Sequence, residues 1–377
     1  MGGGNFTPAE HEEHLHWYSS KLTYLPASGS SSQGTLESNG KRLGELSQTQ
    51  RTLDTPSPPA QTILTQSSPL QLRVITHNIR YAATSLFPHE EPWPERLPYI
   101  QRQLYHYVSL PFNPQSSIVC LQEVLHSQLQ DLASTLNAEA AGAEIDPDSS
   151  TWSYVGVGRD DGGQAGEYNP IFYRHAYWKK IHFQTIWLSE TPETVSRGWD
   201  GGCNRICTCL VLETRLSTNG KARRVMILNT HLDNAGPVAR REGAKLIVRM
   251  ARRWRQSFRV DNVVLTGDLN SMRDEKDGAW EILNAMDSGF VDSTRLLDGG
   301  HGLCIKQFGP EMTFTGFDGN GDGDEVGILD FVHLGVGPGD DAENLQGKLH
   351  AYTIIPNIFE GQPRCSDHTA VVVDFLL

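Results

Sequence analysis

The chain has 377 residues, of which 38% are hydrophobic, and a formal net charge of −13. That length accommodates one large α/β domain with an appendage, and the apolar share is ample for its core. The acidic balance excludes a general nucleic-acid coating protein, because such binding rests on Lys and Arg, although a local basic patch or a bound cation keeps phosphate chemistry open.

The N-terminus, MGGGNF, lacks the apolar stretch of a secretory signal, and Phe6 stands where a myristoylation pattern wants Ser or Thr. No apolar run approaches the length of a membrane span. A monomer of the cytoplasm or nucleus is expected. His11, His14 and His16 read as part of a flexible tail rather than as a metal site. Residues 28–70 are rich in Ser, Gln, Thr, Gly and Pro, a composition that buries too little apolar area to offset the entropy of ordering. Residues 1–69 are therefore expected to form a low-complexity, largely disordered tail, and 70–377 the folded domain.

From Leu70 the texture changes. LRVITHNIRY reads as a buried strand with a polar end. Trp93, Leu97, Ile100, Leu104 and Val108 recur on one face of a helix. SIVCLQEV is a second strand, and Leu125, Leu129, Leu132 and Leu136 mark a second helix. TWSYVGVG with NPIFYRH, and ICTCLVLETR with RRVMILNTHL, read as antiparallel pairs. A helix is expected over 238–256 with Leu246, Ile247, Met250 and Trp254 inward, and its Arg249, Arg252, Arg253 and Arg255 form a solvated face. NVVLTGDLNS and the closing AVVVDFLL are further strands. Mixed strands with helices outside predict two packed sheets flanked by helices. The spacing of Cys203, Cys207 and Cys209 matches no zinc pattern, so the cysteines read as small core residues.

The regularity that carries chemistry lies at the strand ends. Asn78, Glu123, His231 with Asp233, Asp268 with Asn270, and Asp330 each close or open an apolar run, and Ser366, Asp367 and His368 precede the last strand. Each such end alone is ordinary; six together are not. Four converging carboxylates, Glu123, Asp268, Asp330 and Asp367, would repel one another without a cation among them. Oxygen donors without thiolates favour Mg²⁺, Mn²⁺ or Ca²⁺ over zinc. Asn and His beside them supply oxyanion donors and a proton carrier. The set fits metal-assisted hydrolysis of a phosphate ester. Neither a GxSxG elbow nor a P-loop motif competes.

Thr-His-Asn78, Leu-Gln-Glu123, Asn-Thr-His231-Leu-Asp233, Gly-Asp268-Leu-Asn270, Ile-Leu-Asp330-Phe-Val and Ser366-Asp367-His368 resemble, in content and order, the motifs of the endonuclease/exonuclease/phosphatase superfamily with the DNase I-like fold. GRDDGGQAGEYNPIFYR and WLSETPETVSRGWD look like an uncharacterised bacterial and fungal subgroup of it. The resemblance implies an α/β fold, a four-layer α/β-sandwich of two mixed β-sheets flanked by helices, with 70–377 as the catalytic domain. It implies Mg²⁺ (or Mn²⁺) on Glu123, with Asn78 and Asp367 nearby. Asp268 with Asn270 would align the attacking water, His368 would stabilise the phosphoryl oxygens, Asp330 would orient His368, and His231 would contact the phosphate or leaving group. Asn78, Arg159, Tyr168, Arg205 and Asn234 are the expected substrate contacts. Nucleic acid, nucleotide, phosphoinositide and sugar phosphate all stay open as substrates. Arg80 stands where several nucleases of the superfamily carry Asp, so one metal ligand is missing.

FDGNGDGDEVGILD opens like a calcium loop, but its twelfth position from Asp318 is Leu329 rather than Glu. It reads as an acidic rim, with a weak Ca²⁺ site as the other reading. Two further functions compete with hydrolysis: an inactive superfamily member serving as a binding module, and a calcium-binding regulator resting on this loop alone.

Overall fold

Strand β1 (Gln71–Asn78) is buried on both faces after its first residue, as a strand in the middle of a sandwich must be. The computed structural model describes residues 69–377 except 111, 113, 139–150, 216–220, 298–304, 322–324, 338–339, 341 and 359–362. The tail expected over 1–69, its histidines included, lies outside the described residues but for Pro69.

In chain order β1 is followed by α1 (Trp93–Ser109), β2 (Ile118–Gln122), α2 (His126–Ala138), β3 (Trp152–Val155), β4 (Ile171–Arg174), β5 (Trp178–Trp187), β6 (Ile206–Thr214) and β7 (Arg224–His231). Then come α3 (Pro237–Phe258), β8 (Asn262–Asp268), α4 (Ala279–Leu283), β9 (Phe290–Asp292), β10 (Gln307–Phe308), β11 (Asp330–Gly335), α5 (Ala342–Lys348), β12 (Leu349–Ile354) and β13 (Val371–Leu376). One sheet has seven strands in the order β10-β12-β13-β1-β2-β4-β3, the other six in the order β5-β6-β7-β8-β11-β9. Both are mixed: β1 runs parallel to β2, and β7 to β8, with antiparallel partners outside each pair.

The layers follow from which apolar faces meet. Val74, Cys120, Ile171, Leu210, Ile227, Val264, Val332 and Val373 pack between the two sheets. The Ile100–Leu104–Val108 face of α1 and Leu129, Leu132 and Leu136 of α2 cover the outside of the seven-stranded sheet. Leu246, Ile247 and Trp254 of α3, with Leu283 of α4, cover the six-stranded one. The four-layer α/β-sandwich expected from the sequence is the observed fold. The two expected strand pairs form β3–β4 and β6–β7. Cys207 and Cys209 are buried core residues, and the described cysteines are free thiols.

A polar tie fixes the sheets to each other below their common end. Gln122 Nε2 donates to Asn229 Oδ1 at 2.6 Å, and Asn229 Nδ2 donates to the carbonyls of Leu121 and Pro170, each at 2.9 Å. Amides buried this way stay costly unless paired, so the tie specifies how one sheet sits on the other. At the opposite end, Leu70 and Leu377 exchange backbone hydrogen bonds of 2.6 and 2.8 Å.

Candidate active site

The register of the six-stranded sheet brings three of the motif residues side by side. His231 at the end of β7 pairs with Asp268 at the end of β8, and Asp268 pairs with Asp330 at the start of β11. In the other sheet Asn78 at the end of β1 pairs with Gln122, immediately before Glu123. The preceding glycine is needed at Asp268: Gly267 has φ +147°, and a Cβ there would lie 2.0 Å from the Thr230 carbonyl oxygen. Only a residue without Cβ lets β8 approach β7 this closely. Arg80, Glu123 and Asn270 hold left-handed backbone with φ of 56°, 59° and 44°, the kind of local strain that persists where surrounding contacts over-determine it.

Asn78 is the link between the two sheets' contributions. Its Nδ2 donates to Glu123 Oε1 at 2.9 Å and to Asp268 Oδ2 at 3.0 Å, while its Oδ1 accepts from the Arg80 N–H at 3.0 Å. The side chain is fully buried and committed to these partners. Asn78, expected beside the metal and the substrate, holds two carboxylates through its amide. Glu123 Oε2 accepts the Tyr81 N–H at 3.2 Å, and Arg80 Nη1 lies 3.8 Å from it. Asp367 Oδ1 accepts from Ser366 Oγ at 3.1 Å, and the same hydroxyl lies 2.7 Å from the Asn78 carbonyl.

His368 and Asp330 form a pair, with Nδ1 2.7 Å from Oδ2. Nε2 of His368 points back at Asp268 Oδ2, 3.6 Å away. Burial alone would lower the imidazole pKa, but the carboxylates of Asp330 and Asp268 hold it well above its ordinary value. The same environment acts oppositely on Asp268: burial pushes its carboxyl up, His368 pulls it back, Asp330 adds to the rise, and it settles at about 7. Its Oδ1 is held by the Asn270 N–H at 2.9 Å.

The side chain of Asn270 sets the tautomer of His231. Its Nδ2 donates to the Leu232 carbonyl at 3.0 Å and lies 2.9 Å from His231 Nε2. A donor at Nε2 makes that nitrogen the acceptor and puts the imidazole proton on Nδ1, which faces Glu167 Oε2 at 3.9 Å. Burial, then Arg205 and Arg159, lower the His231 pKa well below its usual value, so the ring is neutral. Glu167 itself is pushed up to about 7 by burial and by Glu123, against the pull of Arg159 at 2.6 Å.

These groups line one cleft of about 830 Å³ that includes Arg80, Glu123, Arg159, Arg205, His231, Asn234, Asp268, Asn270, Asp367 and His368. Arg205 Nη2 donates to Asn234 Oδ1 at 2.9 Å, while its Nε and Nη1 have no hydrogen-bond partner among the described residues. Asp233, below them, accepts from the N–H groups of Gly202, Cys203, Ala235 and Gly236. Burial pushes its carboxyl up, but those donors and Arg205 bring it down to about 2.

Tyr168 does not join the cleft. It is buried, its hydroxyl donates to the Gly163 carbonyl at 2.8 Å and meets His126 Nδ1 at 3.1 Å, and its backbone bridges Val124. The expectation of a substrate contact there is corrected: Tyr168 secures the loop that presents Arg159 and Glu167. Asp330 is likewise fully buried and reaches the cleft only through His368. Glu167 and the Arg80–Glu90 ion pair at 3.3 Å were not in the predicted site. Gly321 and Glu325 of the acidic loop line the cleft, Asn320 N–H closes a turn on Asp318 at 2.6 Å, and residues 322–324 lie outside the described residues.

The donor set fits a hard divalent cation beside Glu123 and Asp367. Both offer carboxylate oxygens at the cleft, and burial and Glu123 raise the Asp367 pKa, as expected of two like charges that share a place without a cation. Asp268, Asp330 and His368 also offer ligand atoms within 4.8 Å of one another, but the 2.7 Å pairing of His368 with Asp330 already uses two of them.

No family model matches the chain, and no curated protein matches it. Solved structures do. An endonuclease/exonuclease/phosphatase from Bacteroides vulgatus is 27% identical, with 82% of this chain and 99% of that one covered and a TM-score of 0.62. An endonuclease/exonuclease/phosphatase family protein of Bacteroides thetaiotaomicron is 24% identical over 82% of this chain and 96% of that one, with a TM-score of 0.64. A mannosyl-6-phosphatase of the same organism is also 24% identical, over 81% of this chain and 100% of that one, with a TM-score of 0.62.

Proposed function

Because the chain belongs to the endonuclease/exonuclease/phosphatase superfamily, we propose that it hydrolyses phosphate esters with a divalent cation, Mg²⁺ or Mn²⁺, held by Glu123 and Asp367. The observation that carries this reading is the single hydrogen-bonded unit in which Asn78 ties Glu123 to Asp268 while His368, backed by Asp330, faces that same Asp268.

When bound, the ion would draw charge from the phosphoryl oxygens. The chain's own residues do the rest. Asp268, with a carboxyl poised near neutrality, accepts a proton from the attacking water. The water oxygen forms its bond to phosphorus as the bond to the ester oxygen breaks; the departing oxygen takes a proton from solvent to leave as the alcohol, and Asp268 afterwards returns the water's proton to solvent. Protonated His368 donates Nε2–H to the phosphoryl oxygens, and Asp330 on the far nitrogen fixes ring and charge. Neutral His231 offers Nδ1–H to the phosphate or the leaving oxygen, a role that Asn270 secures by occupying Nε2. Arg159 and Arg205 line the cleft and bring guanidinium charge to the phosphate, with Asn234 fixing Arg205.

Sugar phosphates lead the substrate classes. Asp274, Glu275, Glu325 and Glu167 line the cleft, an acidic wall that disfavours a long polyanion, and the similar Bacteroides thetaiotaomicron structure is a mannosyl-6-phosphatase. The test is a Mg²⁺ assay across sugar phosphates, inositol phosphates, nucleotides and single- and double-stranded nucleic acids. Turnover of a phosphate ester that His368→Ala abolishes supports the reading. No turnover of any substrate sinks it.

A further inference from the structure

We propose that Arg80 reads the second negative charge of a terminal phosphate, so that the cleft selects phosphomonoesters over phosphodiesters; this rests on the phosphate-ester reading above. The guanidinium carbon stands over two rings, 4.3 Å from the centroid of Tyr81 and 4.6 Å from that of Phe87. Its Nε is anchored to Glu90 Oε1 at 3.3 Å, and the Glu90 side chain is fully buried. Glu90 is fixed in turn by the Phe87 N–H, which reaches its other oxygen at 2.9 Å. The backbone is pinned too, because the Arg80 carbonyl accepts from Arg96 Nη2 and Gln128 Nε2, each at 3.1 Å.

What this scaffolding leaves over is the fork. Nε makes the one side-chain hydrogen bond that Arg80 forms with a described residue. Nη1 stands 3.8 Å from Glu123 Oε2, beyond hydrogen-bond range. Both Nη groups therefore remain as donors on a side chain that lines the cleft yet is only 10% exposed. Glu90 bonds the Nε edge, and Glu123 stands at ion-pair distance from Nη1 without a hydrogen bond to it. An anion at the cleft gives the Nη edge its hydrogen bonds.

The position identifies which anion. Arg80 adjoins Glu123, where the phosphoryl group must come for hydrolysis. A diester there carries one negative charge; a monoester carries two once its second proton, with a pKa near 6, is gone. A rigid planar fork matches two phosphoryl oxygens at once. A diester has one of its four oxygens blocked by a second carbon substituent, so the fork and the ion then compete for fewer free oxygens.

The test is calorimetric and kinetic, with Mg²⁺ present at pH 8. Inorganic phosphate and dimethyl phosphate are titrated into wild type, Arg80→Gln and Arg80→Lys, and p-nitrophenyl phosphate and bis(p-nitrophenyl) phosphate are compared as substrates. Wild type is expected to bind phosphate at least ~10-fold more tightly than dimethyl phosphate, and Arg80→Gln to lose ~10-fold or more for phosphate but under ~3-fold for dimethyl phosphate, given the strength of charge-assisted bidentate pairs. Arg80→Lys, which keeps the charge beside Glu90 but not the fork, is expected to fall between, and it carries the test if the Gln variant does not fold. An unchanged preference for phosphate over dimethyl phosphate in the folded variants, or an equal loss for both ligands, overturns the proposal. Hydrolysis of the diester in preference to the monoester by wild type also overturns it while leaving the hydrolase reading intact. Phosphate binding that depends on Arg80, with neither ester cleaved, would instead sustain the Arg80 assignment and remove the hydrolase.

Discussion

Nδ1 of His368 lies 2.7 Å from Oδ2 of Asp330, and the strand that carries Asp330 is the register partner of the strand that carries Asp268. The residue that charges the imidazole and the residue the imidazole faces are therefore neighbours across one ladder. A shift of either strand by one residue would turn its carboxylate to the wrong face and break the arrangement.

His368→Ala is expected to lower kcat by at least ~10²-fold, the usual worth of a positioned oxyanion donor. Asp330→Asn should act through the ring, by removing its charge partner while leaving the cleft surface unchanged. Its kcat should fall while KM moves less, because the interaction strengthens mainly in the transition state. Steady-state kinetics of both variants on one substrate decide the matter, and equal activity in wild type and His368→Ala would falsify the role of the ring.

The pH profile follows from two signs. Asp268 must be ionised to take a proton, so kcat/KM should rise as pH climbs through about 7. His368 must stay protonated, and its pKa is held well above the ordinary value, so the descending limb should lie to the alkaline side of that rise. Asp268→Asn should lower kcat by ~10²-fold or more and abolish the ascending limb in what activity remains. A profile flat from pH 5 to 9 in wild type, measured at saturating Mg²⁺, would contradict the assignment.

Arg205 and Tyr168 were read alike from the sequence and should behave differently. Arg205→Gln removes a guanidinium charge from the cleft lining, so KM should rise, on the order of 10-fold. Tyr168→Phe removes the hydroxyl that donates to Gly163, so stability should drop by about 1 kcal/mol with KM nearly constant. Paired melting curves and Michaelis constants separate the two outcomes.

Asp233→Asn should destabilise by about 1–3 kcal/mol, because an amide nitrogen would face backbone N–H groups that now meet a carboxylate oxygen. The wild-type carboxyl titrates at about 2 folded against about 4 unfolded. Its stabilisation is therefore complete above about pH 4 and is lost as pH falls through 2. Acid unfolding of wild type and variant should converge at low pH; parallel curves would count against this.

Asp318 is exposed and hydrogen-bonds within its own turn. Asp318→Ala should leave kcat unchanged with or without added Ca²⁺. A loss that Ca²⁺ restores would revive the calcium-loop reading.

The strand ends were legible in the sequence because their signal is local: an apolar, β-branched run that stops on Asn, Asp or His marks both the strand and the side of the sandwich it opens on. The helices were legible for the same reason, with Ile100, Leu104 and Val108 buried as their spacing predicted. Side chains on loops were not. Glu167 and Tyr168 are adjacent, yet Glu167 turns to the cleft and Tyr168 to Gly163. Outside a ladder no periodicity tells which way a side chain points. Arg80 was read as a lost ligand because its partner Glu90 is ten positions away across a loop. The commitment of Asn78 to carboxylates on both sheets required knowing that the sheets meet.

The mutual hydrogen bonds of Leu70 and Leu377 have a practical side. Strands β1 and β13 are antiparallel neighbours, and Asn78 and His368 lie near the ends of those strands that face the cleft. The two termini of the folded domain thus emerge together, a full strand length away from the chemistry. A fusion partner, a fluorophore or a surface tether attached at either terminus hangs from the floor of the enzyme and leaves the mouth open. A short peptide splicing residue 377 to residue 70 would span almost no distance, which makes circular permutation, with new ends cut into a distant loop, a direct way to re-aim whatever is attached.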